Sequence, residues 1–282
     1  MRIAAVIPTY NEVDLVSACV DSLLAQGVSN VEVVVVNAGE PLPDELAAKV
    51  TELKVPNSYF WTACIDAGVQ EVRGRCDYLL FTNADTTFLP DSLPKLIGVV
   101  ESDPKAIACS PAYLQVEDEP LSLLYSHQSD MGPLLYGRLI RLWSGLDDAP
   151  DKPVVVDLTG GQGVLMPISV FQTASMDTKR FPHYCSDHDL WLQARKAGYH
   201  LVLVPNAGIV NKRDFNTGQN KNLGKKIQAL WKRMSSEYTP ESWILMWRLR
   251  RKHQGPILGT ATAIVSFGLR WTVGLRKILR RT

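Results

Sequence analysis

Residues 3–37, IAAVIPTYNEVDLVSACVDSLLAQGVSNVEVVVVN, decide the fold. An apolar run over residues 3–7 closes at Pro8, which has no N–H to offer a ladder. Residues 12–26 then place Val13, Val16, Val20, Leu23 and Leu24 at helical spacing, and Gly27 ends that helix. Over residues 31–36 the β-branched side chains Val31 and Val33 to Val36 suit a strand covered on both faces.

Working outward, the alternation continues. Helices are expected over residues 43–53 and 62–72, and a strand over 78–81 that runs into Thr82-Asn83-Ala84-Asp85. Strand, helix and strand in this order imply an α/β fold, a mainly parallel sheet with helices on both faces. Ligands of such sheets sit beyond the carboxyl ends of the strands, where Tyr10, Asn37 and Asp85 would emerge. Beyond residue 106 the pattern loosens: a strand over 107–116, a helical or irregular stretch over 121–142, a strand over 154–158, a helix over 187–197 closed by Gly198, and a strand over 201–204.

The chain of 282 residues is 46% hydrophobic and 21% charged, enough to bury a large core, which excludes a disordered tail, a collagenous repeat or a small disulfide scaffold. Its net charge of +1 hides a division. From residue 211 onward there are sixteen Lys or Arg against three Asp or Glu, about +13, which leaves about −12 on the rest. A basic end suits an anionic partner: a membrane surface, a pyrophosphate-bearing substrate, less well a nucleic acid; self-association with the acidic body is the alternative. Five cysteines without a closely spaced pair are expected to be reduced and mostly buried, as in a cytosolic protein, and the first residues lack the apolar core of a secretion signal.

The domain division expected is residues 1–215 and a basic helical region over 216–282, with helices at 223–234, 240–252 and 256–279. In the last, residues 257–269 are too short an apolar stretch to span a bilayer, and Arg270 interrupts it. Arg270, Lys277 and Arg281 fall on one side, with Ile257, Ala261, Ile264, Trp271, Leu275 and Ile278 mostly elsewhere. Such a helix could lie in a membrane interface, or pack on the body or on a second subunit.

Chemistry concentrates at two places. Asn83 and Asp85 set two oxygen-bearing side chains two residues apart at a strand exit, a spacing that lets both reach one hard cation, although both residues are also ordinary turn formers. Asp187, just ahead of Leu190 and Trp191, suits a helix start, where an acid favours the helix dipole. His183, Cys185 and His188 beside these acids match no zinc spacing. Gly160-Gly161-Gln162-Gly163 lacks the Lys-Ser/Thr ending of a phosphate loop, so a turn is an equal reading. Trp61, with no visible polar partner, suits the core.

Taken together, Val6-Ile7-Pro8-Thr9-Tyr10-Asn11-Glu12, the Asn37 turn, residues 57–68, Thr82 to Thr86 and Phe181 to Leu190 followed by Arg195-Lys196-Ala197-Gly198-Tyr199 resemble the family 2 glycosyltransferases of the GT-A fold, over about residues 3–211. Bacterial rhamnosyltransferase-like members are the nearest in character. The resemblance implies an inverting transfer of a sugar from a nucleoside diphosphate to a glycan or lipid-linked glycan hydroxyl, by an enzyme that is cytoplasmic, either free or peripheral on the cytoplasmic face of the inner membrane. It implies Pro8, Thr9, Tyr10, Glu12, Asn37, Asn57, Trp61 and Asn83 at the nucleotide sugar, and Asp85 with Asn83 at Mg²⁺ or Mn²⁺. Asp187 becomes the base, and Gly161, His183 and Asp189 the acceptor side. An ordinary aspartate titrates near about 3.9, so Asp187 needs no shift to accept a proton at neutral pH. The chain departs from many relatives at Asn37 and Asn83, where they carry Asp, and at Asn211, where they carry His. Weak, exchangeable metal binding is therefore expected. A non-catalytic nucleotide-sugar binder or scaffold is the alternative, and a homo-oligomer is open.

Overall fold

The computed structural model describes residues 1–115, 119–129, 138–212 and 223–279. Val116 of the expected strand, the boundary between residues 215 and 216, and Arg281 lie outside them.

The opening unit forms as read: β1 (Ile3–Thr9), α1 (Val13–Leu24) and β2 (Val31–Asn37), paired in parallel. Pro8 lies inside β1, not at its end, opposite Val36, because β4 (Tyr78–Phe81) pairs with β1 only as far as Val6 and asks nothing of the missing N–H. Alternate side chains then divide between two cores. Ala4, Val6, Val34 and Val36 face α3 (Trp61–Val72), whereas Ile3, Ala5, Val33 and Val35 face α1 and α4 (Ser92–Ser102).

The helix expected over residues 43–53 is replaced by a short α2 (Asp44–Ala47) and an edge strand β3 (Thr51–Lys54) parallel to β2. The open edge of β2 supplies a ladder that outweighs helix propensity, and Glu52 fastens it by accepting a hydrogen bond from Asn37 Nδ2 at 2.7 Å. The strand expected over residues 107–116 breaks at Ser110-Pro111 into β6 (Ala106–Cys109) and β7 (Ala112–Leu114), which join different sheets. Residues 121–142, expected to be helical or irregular, carry β8 (Ser122–Tyr125), β9 (His127–Ser129) and β10 (Arg138–Ile140). In β8 the buried side chains are Leu123 and Tyr125, the period of two that distinguishes a strand from a helix.

Three further strands were not anticipated: β5 (Thr86–Phe88), β12 (Val164–Pro167) and β14 (Ile209–Asn211). With β11 (Val154–Val156) and β13 (His200–Leu203), β12 completes an eight-stranded sheet ordered β11-β13-β6-β12-β4-β1-β2-β3. β12 runs antiparallel between β4 and β6, which makes the sheet mixed. A second sheet, β5-β14-β7-β8, carries the residues just after Asp85.

Helix α5 (Ser186–Lys196) follows the expected position, with Gly198 at φ +86° behind it. Three more helices end the described chain: α6 (Leu223–Ser235), α7 (Trp243–Gln254) and α8 (Pro256–Leu279). Leu245, Met246 and Leu249 of α7 enter the same core as α3 and α5. The span Pro256–Arg276 is long and apolar enough to cross a membrane by length and composition, contrary to the expectation drawn from residues 257–269 alone. All five cysteines are free and buried, and desolvation holds the thiols of Cys19, Cys109 and Cys185 up at about 12.

Candidate functional site

The carboxyl ends of β1 and β4, the start of α3, the Gly160–Gly163 loop and the start of α5 enclose a cavity of about 580 Å³. That volume lies in the range of small-molecule sites. Its walls on the β1 side are Pro8, Thr9, Tyr10 and Glu12. Asn57, Tyr59, Phe60 and Trp61 form the next side, Asn83 and Asp85 the floor behind β4, and Gly161, His183, Tyr184 and Asp187 the side opposite. Eleven of the thirteen residues proposed from the sequence thus face one space.

Trp61 is fixed by a polar partner that the sequence did not reveal: its indole N–H donates to Asn83 Oδ1 at 2.7 Å. A Cβ added to Gly161 would lie 2.6 Å from that indole ring, so glycine is what lets the loop and Trp61 meet. Further along the wall, the Thr62 hydroxyl donates to the Phe181 carbonyl at 2.6 Å and lies 2.8 Å from Ser186 Oγ, stitching α3 to the segment that leads into α5. Cys185, at the start of α5, takes a left-handed φ of 65°, a conformation disfavoured for a residue with a Cβ, and turns the chain immediately before Asp187. Asp187 Oδ1 accepts the His188 N–H at 2.8 Å, so the carboxylate sits at a helix start and on the cavity wall at once.

Gln162 is the residue sequence reading passed over. Buried in the glycine loop, its Oε1 accepts from Thr86 Oγ1 at 3.1 Å and from the amides of Asn83 and Asn211 at 3.4 Å, while its Nε2 donates to Tyr125 Oη at 2.9 Å. Burial pushes the Tyr125 phenol up to about 12, which keeps it a neutral partner. A lone amide among glycines was the available signal.

Two expected site residues do not reach the cavity. Asn37 is buried, and its amide is committed locally: Nδ2 donates to Glu52 and to the Glu40 carbonyl, each at 2.7 Å, and Oδ1 accepts the Gly39 N–H at 2.8 Å. Its neighbour Ala38 lines the wall instead. Asp189 is not on the acceptor side. Fully buried under α7, it binds Lys252 Nζ at 2.8 Å, His253 Nε2 at 2.7 Å and Gln193 Nε2 at 2.8 Å. Two residues on from Asp187, about 200° around the helix, its side chain points into the body, toward a helix whose position the sequence did not disclose.

The oxygen donors near Asp85 suit a hard cation. They are its carboxylate and the Asn83 amide oxygen, which has a second lone pair beyond the one used by Trp61. Among the described residues there is no group of three or more His, Cys, Asp or Glu that could hold a metal ion. Asn211 ends β14 beside this point, since the next residue's N–H, that of Lys212, donates to the Asp85 carbonyl at 2.8 Å.

Comparison with known proteins places this arrangement. The model of Glycosyl transferase family 2 matches residues 4–143. An uncharacterized glycosyltransferase of Rickettsia conorii is 22% identical over 256 residues, 86% of this chain and 40% of its own length. One from Rickettsia prowazekii is 24% identical over 254 residues, 86% of this chain and 74% of the relative. The chain therefore spans well under half the length of some relatives that it matches. Among solved structures, GalNAc-T7 with UDP, GalNAc and Mn²⁺ superposes with a TM-score of 0.62 at 11% identity, over 96% of this chain and 55% of the other. S. aureus TarS gives 0.52 at 11% identity, over 89% and 43%. With the GT-A architecture and the family match in agreement, residues 4–143 carry the Glycosyl transferase family 2 domain.

Proposed function

We propose that the chain transfers a sugar, with inversion, from a nucleoside diphosphate to a hydroxyl of a glycan or lipid-linked glycan. The observation that carries this reading is the placement of Asp187 and Asp85 on one cavity wall system, with Trp61 and Gly161 between the two motifs. Asp187 takes the proton of the acceptor hydroxyl as that oxygen forms its bond to the anomeric carbon. The bond from that carbon to the phosphate oxygen breaks, and its electron pair leaves with the nucleoside diphosphate.

Pro8, Thr9, Tyr10, Glu12 and Asn57 hold the nucleotide side, and Trp61 orients the sugar. His183 and Gly161 border the acceptor. Asp85 and Asn83 would hold Mg²⁺ or Mn²⁺, which when bound offsets the charge of the departing diphosphate. The Trp61–Asn83 hydrogen bond ties the sugar wall to that donor pair. A deoxyhexosyl donor follows from the resemblance to bacterial rhamnosyltransferases.

The test is a thermal-shift panel of nucleoside diphosphates and their sugars with and without Mn²⁺, followed by turnover with the stabilising donor. Asp187→Asn should cut turnover by about 10²- to 10⁴-fold while the nucleotide still raises the melting temperature. Undiminished turnover in that variant removes Asp187 as base. A wild-type chain that binds donors and never consumes one is the non-catalytic binder.

A further inference from the structure

Helix α8 is turned inside out relative to a helix on a water-soluble body. Its fully buried side chains are small or polar, Thr262, Ala263 and Ser266, with Phe267 and Trp271 half-buried beside them against Trp243 and Trp231, and a Cβ at Gly259 would lie 2.5 Å from the Arg250 carbonyl, so α8 rides directly on the backbone of α7. Its outward face carries Ile257, Leu258, Ile264, Val265, Leu269 and Val273, with Ile257 86% and Ile264 64% exposed. Ile257 and Ile264, like Leu258 and Val265, recur at seven residues, and Val265, Leu269 and Val273 at four, which sets them along one side of the helix as an apolar strip. Water penalises such a strip, and hydrocarbon does not.

A second feature opens at the same end. A groove of about 430 Å³ is lined by Arg180, Arg248, Arg251 and Lys252 with Trp247 and Pro256, the residue that begins α8. Arg248 pairs with Glu237, Arg180 with Asp177, and Lys252 with Asp177 and Asp189, so four cations stand against three carboxylates. Arg251 is exposed and lies 4.7 Å over the Trp247 ring. The groove wall itself presents cations, Trp247 and Pro256, with no carboxylate.

We propose that the outward face of α8 docks on an anionic phospholipid bilayer, lying in the interface, with lipid phosphates against the groove cations and acyl chains against the apolar strip. Charge decides between this occupant and a second copy of the same face: pairing two arms that each carry about +13 brings like charges together, whereas an anionic leaflet attracts them. The inward face already rests on α7 and α6, where Trp231 meets Trp271 at 5.9 Å, which suits a helix lying on the surface rather than standing free across it. The inference is independent of the catalytic reading, since it concerns neither Asp85 nor Asp187.

The test is co-sedimentation of the full chain with vesicles of phosphatidylcholine alone and of phosphatidylcholine with phosphatidylglycerol. Binding should require the anionic lipid, fall at least tenfold in 0.5 M NaCl, and fall at least tenfold in Ile264→Glu and Leu269→Glu, whose exposed positions leave the melting temperature unchanged. Arg251→Glu should weaken binding several-fold. Failure to bind anionic vesicles overturns the proposal, as does binding indifferent to the glutamate variants and to salt. A dimer in size-exclusion chromatography that Ile264→Glu splits, without vesicle binding by the wild-type chain, assigns the face to a second copy and overturns it equally.

Discussion

In α1 the side chains of Val16, Cys19, Val20 and Leu23 turn inward onto the sheet, and the exposed ones are mostly polar. In α8 the fully buried side chains are Thr262, Ala263 and Ser266, and Ile257, Leu258, Ile264, Val265, Leu269 and Val273 point out. The first helix is held by buried area, the ordinary currency of a soluble fold. The second is held by close backbone approach on α7, which in turn is held to the body by Leu245 and Leu249 and by charge. The contrast teaches that α7 is the joint between an acidic body that builds the cavity and a basic arm that faces elsewhere.

The largest way to break that joint is Asp189→Ala. The variant strips a buried carboxylate from Lys252 and His253 together, two residues after the proposed base. Removing one side of such a buried cluster costs about 3–5 kcal/mol. Urea denaturation should show a loss of that order. A loss below about 1 kcal/mol would mean that apolar packing alone fastens α7.

Within the body, Gly161→Ala sharpens the other side of the comparison. The new methyl would meet Trp61 at 2.6 Å, and Trp61 cannot yield without disturbing its bond to Asn83. Overpacking of this kind costs about 1–3 kcal/mol. Because the donor wall moves with the ring, turnover should drop by about tenfold or more. Full turnover with normal stability would show that the ring has room to swing.

How much of this was legible beforehand depended on whether a residue's partner lay nearby in sequence. β1, α1, β2, α3, β4 and α5 were readable because each displays its own period and its own stop, such as Gly27 and Gly198. β3, β8 and β12 were not, because their strand character comes from an edge supplied by residues far along the chain. The site followed the same rule. Strand exits and the start of α5 brought Pro8, Asp85 and Asp187 to one cavity as their positions implied. Asn37 and Asp189 went elsewhere because Glu52 and Lys252, fifteen and sixty-three positions away, claimed their side chains. Gln162 escaped notice for the same reason: its partners come from three separate stretches of the chain.

The smallest expected effect lies at the rim of the joint, at Asp177. Burial alone would raise its carboxyl, but hydrogen bonds from Arg180 and from Lys252 outweigh burial and hold it below the ordinary value of 3.8. A carboxyl depressed in the folded state contributes stability that is present above its unfolded value and is lost as the pH falls through its folded one. The contribution of a rim pair of this kind is under about 1 kcal/mol. Urea melts of the wild type and Asp177→Asn should therefore differ by a small constant amount from neutral pH down to about pH 5, and converge below about pH 4 as protonation removes the wild-type advantage. A gap that widened on acidification would reverse the sign, and would place the stabilising proton on a different group of the joint.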